Sequence, residues 1–196
     1  MRGYNIYRCV RSVVCRVSMI YFTSDLHFCH DKDFILGPRG FTSSDDMNAA
    51  IIRNWNSIVS AEDEVYVLGD LMLRDNEEGI RCWNQLRGTK HVILGNHDSD
   101  QRIGLYKKCS NTIIEGYAMK LKINGYTFFL SHHPTLIYEP EEKPLRNSVI
   151  NLCGHVHTKD RFLDMDKGLI YHVELEAHDN RPVSFDEILE DIRKVR

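Results

Sequence analysis

Val92-Ile93-Leu94-Gly95-Asn96-His97-Asp98 is the stretch on which the reading of this chain turns. An apolar run stops at a glycine, and three residues able to bind a metal or move a proton follow at once. The same pattern recurs. Residues 65–68 lead into Gly69-Asp70, and residues 149–152 lead past Cys153 into Gly154-His155-Val156-His157. Phe128-Phe129-Leu130 leads into Ser131-His132, and Ile20-Tyr21-Phe22 leads into Thr23-Ser24-Asp25-Leu26-His27. Short apolar runs bounded in this way read as buried strands. In an open α/β sheet the carboxyl ends of such strands share one crevice. Five distant stretches can therefore pool their polar side chains in a single cleft.

Composition sets the limits around that cleft. A chain of 196 residues can bury a core of its own, and a single domain over residues 19–196 is expected. With 42% apolar and 27% charged residues it has the make-up of a soluble globular protein. A formal net charge of −3 gives no overall field that attracts polyanions, so a nucleic-acid partner would need a local basic groove. No apolar stretch approaches the roughly 20 residues of a membrane span. None of the six cysteines forms a C-x-x-C pair, which favours free thiols in a reducing, cytoplasmic setting over a disulfide framework.

Residues 1–18 differ from the rest. They carry Arg2, Arg8, Arg11 and Arg16 and no acidic residue. Three readings compete: a basic organellar-type leader, an extra element packed on the domain, or a segment upstream of a true start at Met19. The last is preferred, because the strand pattern begins cleanly there.

From Met19 the chain reads as strand 19–22, a Gly/Pro-containing loop over 28–43, and a helix capped by Ser43 or Ser44 with Asp45 and Asp46 in its first turn. Met47, Ile51, Trp55 and Ile58 recur at helical spacing and should face the core. A second helix is expected over about 76–87, stopped by Gly88. Residues 100–110 are weakly helical. Residues 112–123 and 126–130 read as two strands joined at Asn124-Gly125, a strong hairpin signal. Residues 134–147 read as a surface loop, with Glu139, Glu141, Glu142, Lys143 and Arg146 as solvated charges. Residues 169–175 form a further strand. Ser184-Phe185-Asp186-Glu187 has the capping-box pattern and opens a last helix with Phe185, Ile188, Ile192 and Val195 on one face.

The polar residues at the strand ends are Asp25, His27, Asp70, Asn96, His97, His132, His155 and His157. They offer oxygen and imidazole nitrogen but no thiolate, a set suited to Mn²⁺, Fe or Zn²⁺ rather than to a structural cysteine–zinc knot. They are too many for one open catalytic ion and enough for two, if one carboxylate bridges. Each residue alone reads more simply as a turn residue or a structural histidine. Their co-occurrence at five strand ends does not. Two ions about 3.5–4 Å apart suit in-line displacement at phosphorus.

In this set the sequence resembles the calcineurin-like metallophosphoesterases. The motifs D-x-H, G-D, G-N-H-[DE], a lone His and G-H-x-H appear in order as Asp25-Leu26-His27, Gly69-Asp70, Gly95-Asn96-His97-Asp98, His132 and Gly154-His155-Val156-His157. The opening resembles small bacterial and phage members, which usually have glycine where Cys29 stands. The resemblance implies an α/β fold of two packed mixed β-sheets flanked by helices, a four-layer sandwich. It implies that Asp25, His27 and His157 hold one divalent ion, that Asn96, His132 and His155 hold the other, and that Asp70 bridges. Manganese is the first expectation, with Fe or Zn as alternatives. It further implies hydrolysis by a metal-bound hydroxide while His97 protonates the leaving alkoxide. A histidine of ordinary pKa is suited to that task, and Asp98 could orient it or be a plain turn residue.

Secondary expectations concern the surroundings. His132 is preferred to His133 as ligand, since His133 precedes Pro134 and should point elsewhere. Arg39 could clamp a phosphate oxygen, and His30 could line the pocket. His91, His172 and His178 are expected to serve packing or solvent. The leading function is a phosphoesterase acting on a phosphodiester or small phosphomonoester. Alternatives are a protein-binding scaffold with weakened metal sites, which the intact ligand set disfavours, and a nuclease or RNA-end phosphodiesterase, which the near-neutral charge disfavours.

Overall fold

The computed structural model describes residues 18–137, 143–163 and 169–195. The expectation for residues 1–17 and the solvated-loop reading of Glu139, Glu141 and Glu142 lie outside the described residues. The elements run β1 (Ile20–Thr23), α1 (Asp33–Arg39), α2 (Ser44–Ile58), β2 (Glu64–Leu68), α3 (Asn76–Asn84), β3 (Thr89–Ile93), α4 (Asp100–Tyr106) and β4 (Thr112–Gly116). They continue with β5 (Ala118–Ile123), β6 (Tyr126–Ser131), β7 (Val149–Cys153), β8 (Phe162–Leu163), β9 (Ile170–His172), β10 (Val183–Ser184) and α5 (Phe185–Val195).

Two mixed five-stranded sheets result. The first has the order β10-β1-β2-β3-β4 and the second β5-β6-β7-β9-β8. Strands β1 to β4 are parallel, with β10 antiparallel at the edge. Strands β6, β7 and β9 are parallel, with β5 and β8 antiparallel at the two edges. The parallel ladders point the strand ends that carry the polar motifs in one direction.

The first sheet is buried on both faces, which is why its strands read as continuous apolar runs. Successive side chains alternate between two cores. Tyr21, Val65, Val67 and Val92 join Met47, Ile51, Trp55 and Trp83 from the helices. Phe22, Tyr66, Leu68 and Ile93 join Phe128, Leu130, Ile150 and Leu152 from the second sheet. Phe22 stacks on Phe128 with ring centroids 5.7 Å apart, which ties the sheets together. Helix α5 closes this second core with Phe185, Ile188, Leu189 and Ile192.

Local sequence explains most of the helix ends. Ser43 caps α2 by accepting from the Asp46 N–H, and Asp75 caps α3 by accepting from Glu77 and Glu78. The capping box at α5 is reciprocal: the Glu187 N–H donates to Ser184 Oγ, and the Ser184 N–H donates to Glu187 Oε2. Asn124 (φ 49°) and Gly125 (φ 85°) form the two-residue turn between β5 and β6.

Several expectations need correction. The loop over 28–43 contains α1, which carries Pro38 in its final turn and ends one residue later at Arg39. Residues 112–123 are two strands, not one. The chain leaves the first sheet at Gly116 (φ 106°) and enters the second at Ala118. A strand over 169–175 shrinks to β9, because Leu175–Ala177 turns into a short 3-10 helix. Val195 is 51% exposed, and Leu189 takes its expected place in the core. No helix among the described residues is long and apolar enough to cross a membrane.

Candidate metal centre

The carboxyl ends of β1, β2, β3, β6 and β7 meet across the two sheets. Backbone bonds splice their loops: the Asp25 N–H donates to Gly69 O, the His27 N–H to Asp70 O, and the Gly154 N–H to His132 O. The His132 Nδ1–H donates to Leu68 O at 2.8 Å, which links the second sheet to the first and leaves Nε2 facing the cleft.

Two buried aspartates organise the cleft in the same way. Asp25 Oδ2 accepts from the His155 N–H at 2.8 Å, and Asp70 Oδ1 accepts from the His97 N–H at 2.9 Å. Each therefore fixes a loop from the far side with one oxygen. The other oxygen faces imidazoles. Asp25 Oδ1 lies 3.5 Å from His27 Nε2 and 3.6 Å from His157 Nε2. Asp70 Oδ2 lies 3.5 Å from His132 Nε2, 3.8 Å from His27 Nε2 and 3.9 Å from His97 Nε2.

These residues fit a cation. Asp25 Oδ1 is buried without a hydrogen-bond partner among the described residues, a costly state for a carboxylate unless positive charge sits beside it. His27 Nε2 and His157 Nε2 come within 3.2 Å of each other, both turned to the same point. Donor atoms of Asp25, His27 and His157 lie within 4.8 Å of one another, and so do those of Asp25, Asp70 and His132. Burial opposes ionisation of Asp25, yet the adjacent imidazole of His27, with the charges of His132 and His157, holds its carboxyl well below the usual range. Burial pushes His27 and His155 down, which keeps their lone pairs free for a metal.

The backbone is strained at the same places. Asp25, His27, Asp70, His155 and His157 all adopt φ between 48° and 76°. Such conformations cost on the order of 1 kcal/mol or more apiece and collect at functional sites. Two glycines permit the close approach of the loops. A Cβ on Gly95 would strike the Asp70 carboxylate, and one on Gly154 would strike Ser24 and Asp25. Cys29 has φ 67°, in the left-handed region that favours glycine.

The remaining candidates fall out as follows. Asn96 is exposed, with Oδ1 2.9 Å from His132 Nε2, and the His155 ring centroid is 5.1 Å from that of His132. His97 is 46% exposed at its side chain and faces the open side of the cleft. His30 packs beside His27 with centroids 5.3 Å apart, and burial, followed by the charge of His27, pushes it down to about 4.

Three expectations are corrected. Arg39 does not reach the cleft mouth. Its guanidinium is buried and donates to Glu176 Oε1, Leu26 O and Asp25 O, so its charge is engaged behind the loop that carries Asp25. Asp98 does not orient the His97 ring. It accepts from the N–H groups of Gly95, Asp70 and Leu71 and from the Tyr106 hydroxyl, and so clamps two loops together. His133 does not point away. The Ser131 and Thr135 hydroxyls both donate to its carbonyl, and that curl brings its ring to 4.4 Å from His155.

Two residues escaped the sequence reading. Glu176 is buried, and Oε1 accepts from both Arg39 Nε and the His157 Nδ1–H at 2.8 Å, so it orients the His157 ring. Glu174 is fully buried, and burial, followed by the charge of Asp25, raises its carboxyl to about 8. The available signal was two acids flanking Leu175 within an otherwise apolar segment.

Comparison with known proteins identifies the family. The chain is 30% identical over 181 residues to an uncharacterized protein of Methanocaldococcus jannaschii, covering 89% of this chain and 92% of that one. It is 28% identical over 201 residues to the gene 66 protein of Mycobacterium phage D29, covering 91% and 98%. The crystal structure of a protein of unknown function from Aquifex aeolicus superposes with a TM-score of 0.65 at 25% identity, covering 89% of this chain and 99% of that one. The family model for calcineurin-like phosphoesterases matches residues 18–194, and the chain belongs to that metal-dependent family of phosphoester hydrolases.

Proposed function

We propose that this chain hydrolyses a phosphodiester or a small phosphomonoester at a centre of two divalent cations. Asp25, His27 and His157 would hold one ion, Asn96, His132 and His155 the other, and Asp70 would be shared. Manganese is the first choice, with iron and zinc suited to the same donors. When bound, the ions supply positive charge beside the phosphoryl oxygens and acidify water.

The protein's own groups do the rest. His97 sits on the open side, held by its N–H to Asp70 Oδ1, where its imidazole can give a proton to the departing alkoxide. Glu176 fixes the tautomer of His157 by accepting from Nδ1, and Leu68 O does the same for His132. Arg39 holds the carbonyls of Asp25 and Leu26, which keeps the strained loop in place. His30, neutral at physiological pH, is proposed to wall the pocket beside His27. Residues 19–196 are proposed to form one domain. A cytoplasmic setting is proposed as well, since Cys29, Cys82, Cys109 and Cys153 are free.

The observation that carries the proposal is the matched pair of aspartates, each with one oxygen on a backbone N–H and the other among imidazoles. The test is hydrolysis of bis(p-nitrophenyl) phosphate and p-nitrophenyl phosphate before chelation, after it and after Mn²⁺ add-back. Chelation should abolish turnover and Mn²⁺ should restore it. Turnover that survives exhaustive chelation, or neither ester being cleaved with any of the three metals, would refute the proposal.

A further inference from the structure

A cavity of about 270 Å³ opens beside the candidate centre. Asn96, His132 and His133 line it, and so do Leu94, Tyr117 and Phe129. Tyr117 is 71% exposed at the point where the chain crosses from the first sheet to the second. Phe129 lies on the face of β6 turned away from the core that buries Phe128 and Leu130, and it stays half-buried. Neither ring is needed to close a core, yet both face the same space as the candidate ligands. No lysine or arginine is among the described residues that line it.

We infer that this cavity is the subsite for the substituent of the phosphoester, and that it takes a flat, uncharged ring. This rests on the phosphoesterase reading and adds a substrate class to it. With the phosphoryl group at the histidines, the substituent falls against Tyr117 and Phe129. Aromatic side chains stack on flat rings whatever their identity. A second phosphate finds no cation there, so nucleoside polyphosphates are disfavoured. The volume suits one ring system and is small for an extended polymer. An aryl group and a nucleobase share this chemistry and differ in their distance from phosphorus.

The experiment uses titration calorimetry of the Mn²⁺-loaded protein with phenylphosphonate, the non-hydrolysable 5′-methylenephosphonate analogue of thymidine 5′-monophosphate, and methylphosphonate, none of which can be turned over. One of the two ring-bearing ligands should bind about tenfold or more tightly than methylphosphonate. Preference for phenylphosphonate places the ring next to the ester oxygen, and preference for the nucleotide places it one sugar away. Tyr117→Ala, at an exposed position, should remove the advantage and leave methylphosphonate binding within about twofold. Ala118→Trp, which fills the same cavity, should do likewise. Equal binding of all three, or an advantage that survives both substitutions, would overturn the subsite alone. Failure of all three to bind would overturn the phosphoesterase reading with it.

Discussion

Asp70 offers one oxygen to the backbone of His97 and turns the other toward three imidazoles, and the chemistry of the cleft depends on that division. His97→Ala should keep its metal by elemental analysis and lose about 10²–10⁴-fold in kcat. Loss of metal in that variant would make His97 a ligand instead. Glu176→Gln should weaken Mn²⁺ binding by about 10–100-fold in calorimetry, because the His157 Nδ1–H loses its anionic acceptor. Arg39→Ala leaves Glu176 buried without its cation, so chemical denaturation should show a loss of about 3–5 kcal/mol. Unchanged stability would contradict the placement of that pair. At this scale the candidate ligands were legible as candidates, since each lies two to five residues past the end of an apolar run. Glu176 and the true post of Arg39 were not. Their partnership spans 137 positions, and a charge read alone shows only what it could bind.

The loops between elements carry the strain, and the glycines before the motifs carry the close approach. Gly154→Ala pushes a methyl group into Ser24 and Asp25. It should lower the thermal midpoint and the metal content together, whereas Gly104→Ala, inside α4 where a Cβ meets nothing, should raise the midpoint slightly and leave the metal content unchanged. Helix α5 supplies a pH test. Burial opposes ionisation of Glu187, but hydrogen bonds from Arg181 and Ser184 hold it down to about 2. The unfolded chain takes up that proton first, so the stabilisation is present at neutral pH and is lost as pH falls from the ordinary carboxylate range toward 2. The difference in urea midpoint between the wild type and Glu187→Gln should therefore be largest near pH 7 and close by about pH 2. A constant difference would show that the capping box does not depend on the charge. Capping boxes and the Asn124-Gly125 turn are local chemistry, and the sequence displays them openly. Helix α1 was hidden by its glycine and proline. The division between β4 and β5 was hidden because alternation continues through Gly116, and only pairing partners reveal the change of sheet.

For the molecule as a whole, two sheets meet with their strand ends on one side, and residues from 25 to 157 converge there. The burial of β1, β2 and β3 on both faces was implied by apolar runs too continuous for a one-faced sheet. The pairing of a second sheet against the first was implied only through family resemblance, because packing of sheet on sheet is a long-range fact. Everything functional rests on the claim that these donors gather two cations around a shared Asp70. The direct measurement is metal stoichiometry after reconstitution with Mn²⁺ and removal of loosely bound ion, for the wild type and Asp70→Ala. Two equivalents per chain are expected for the wild type, with at most one retained by the variant. A wild type that holds fewer than two, or a variant that keeps both, would contradict the account.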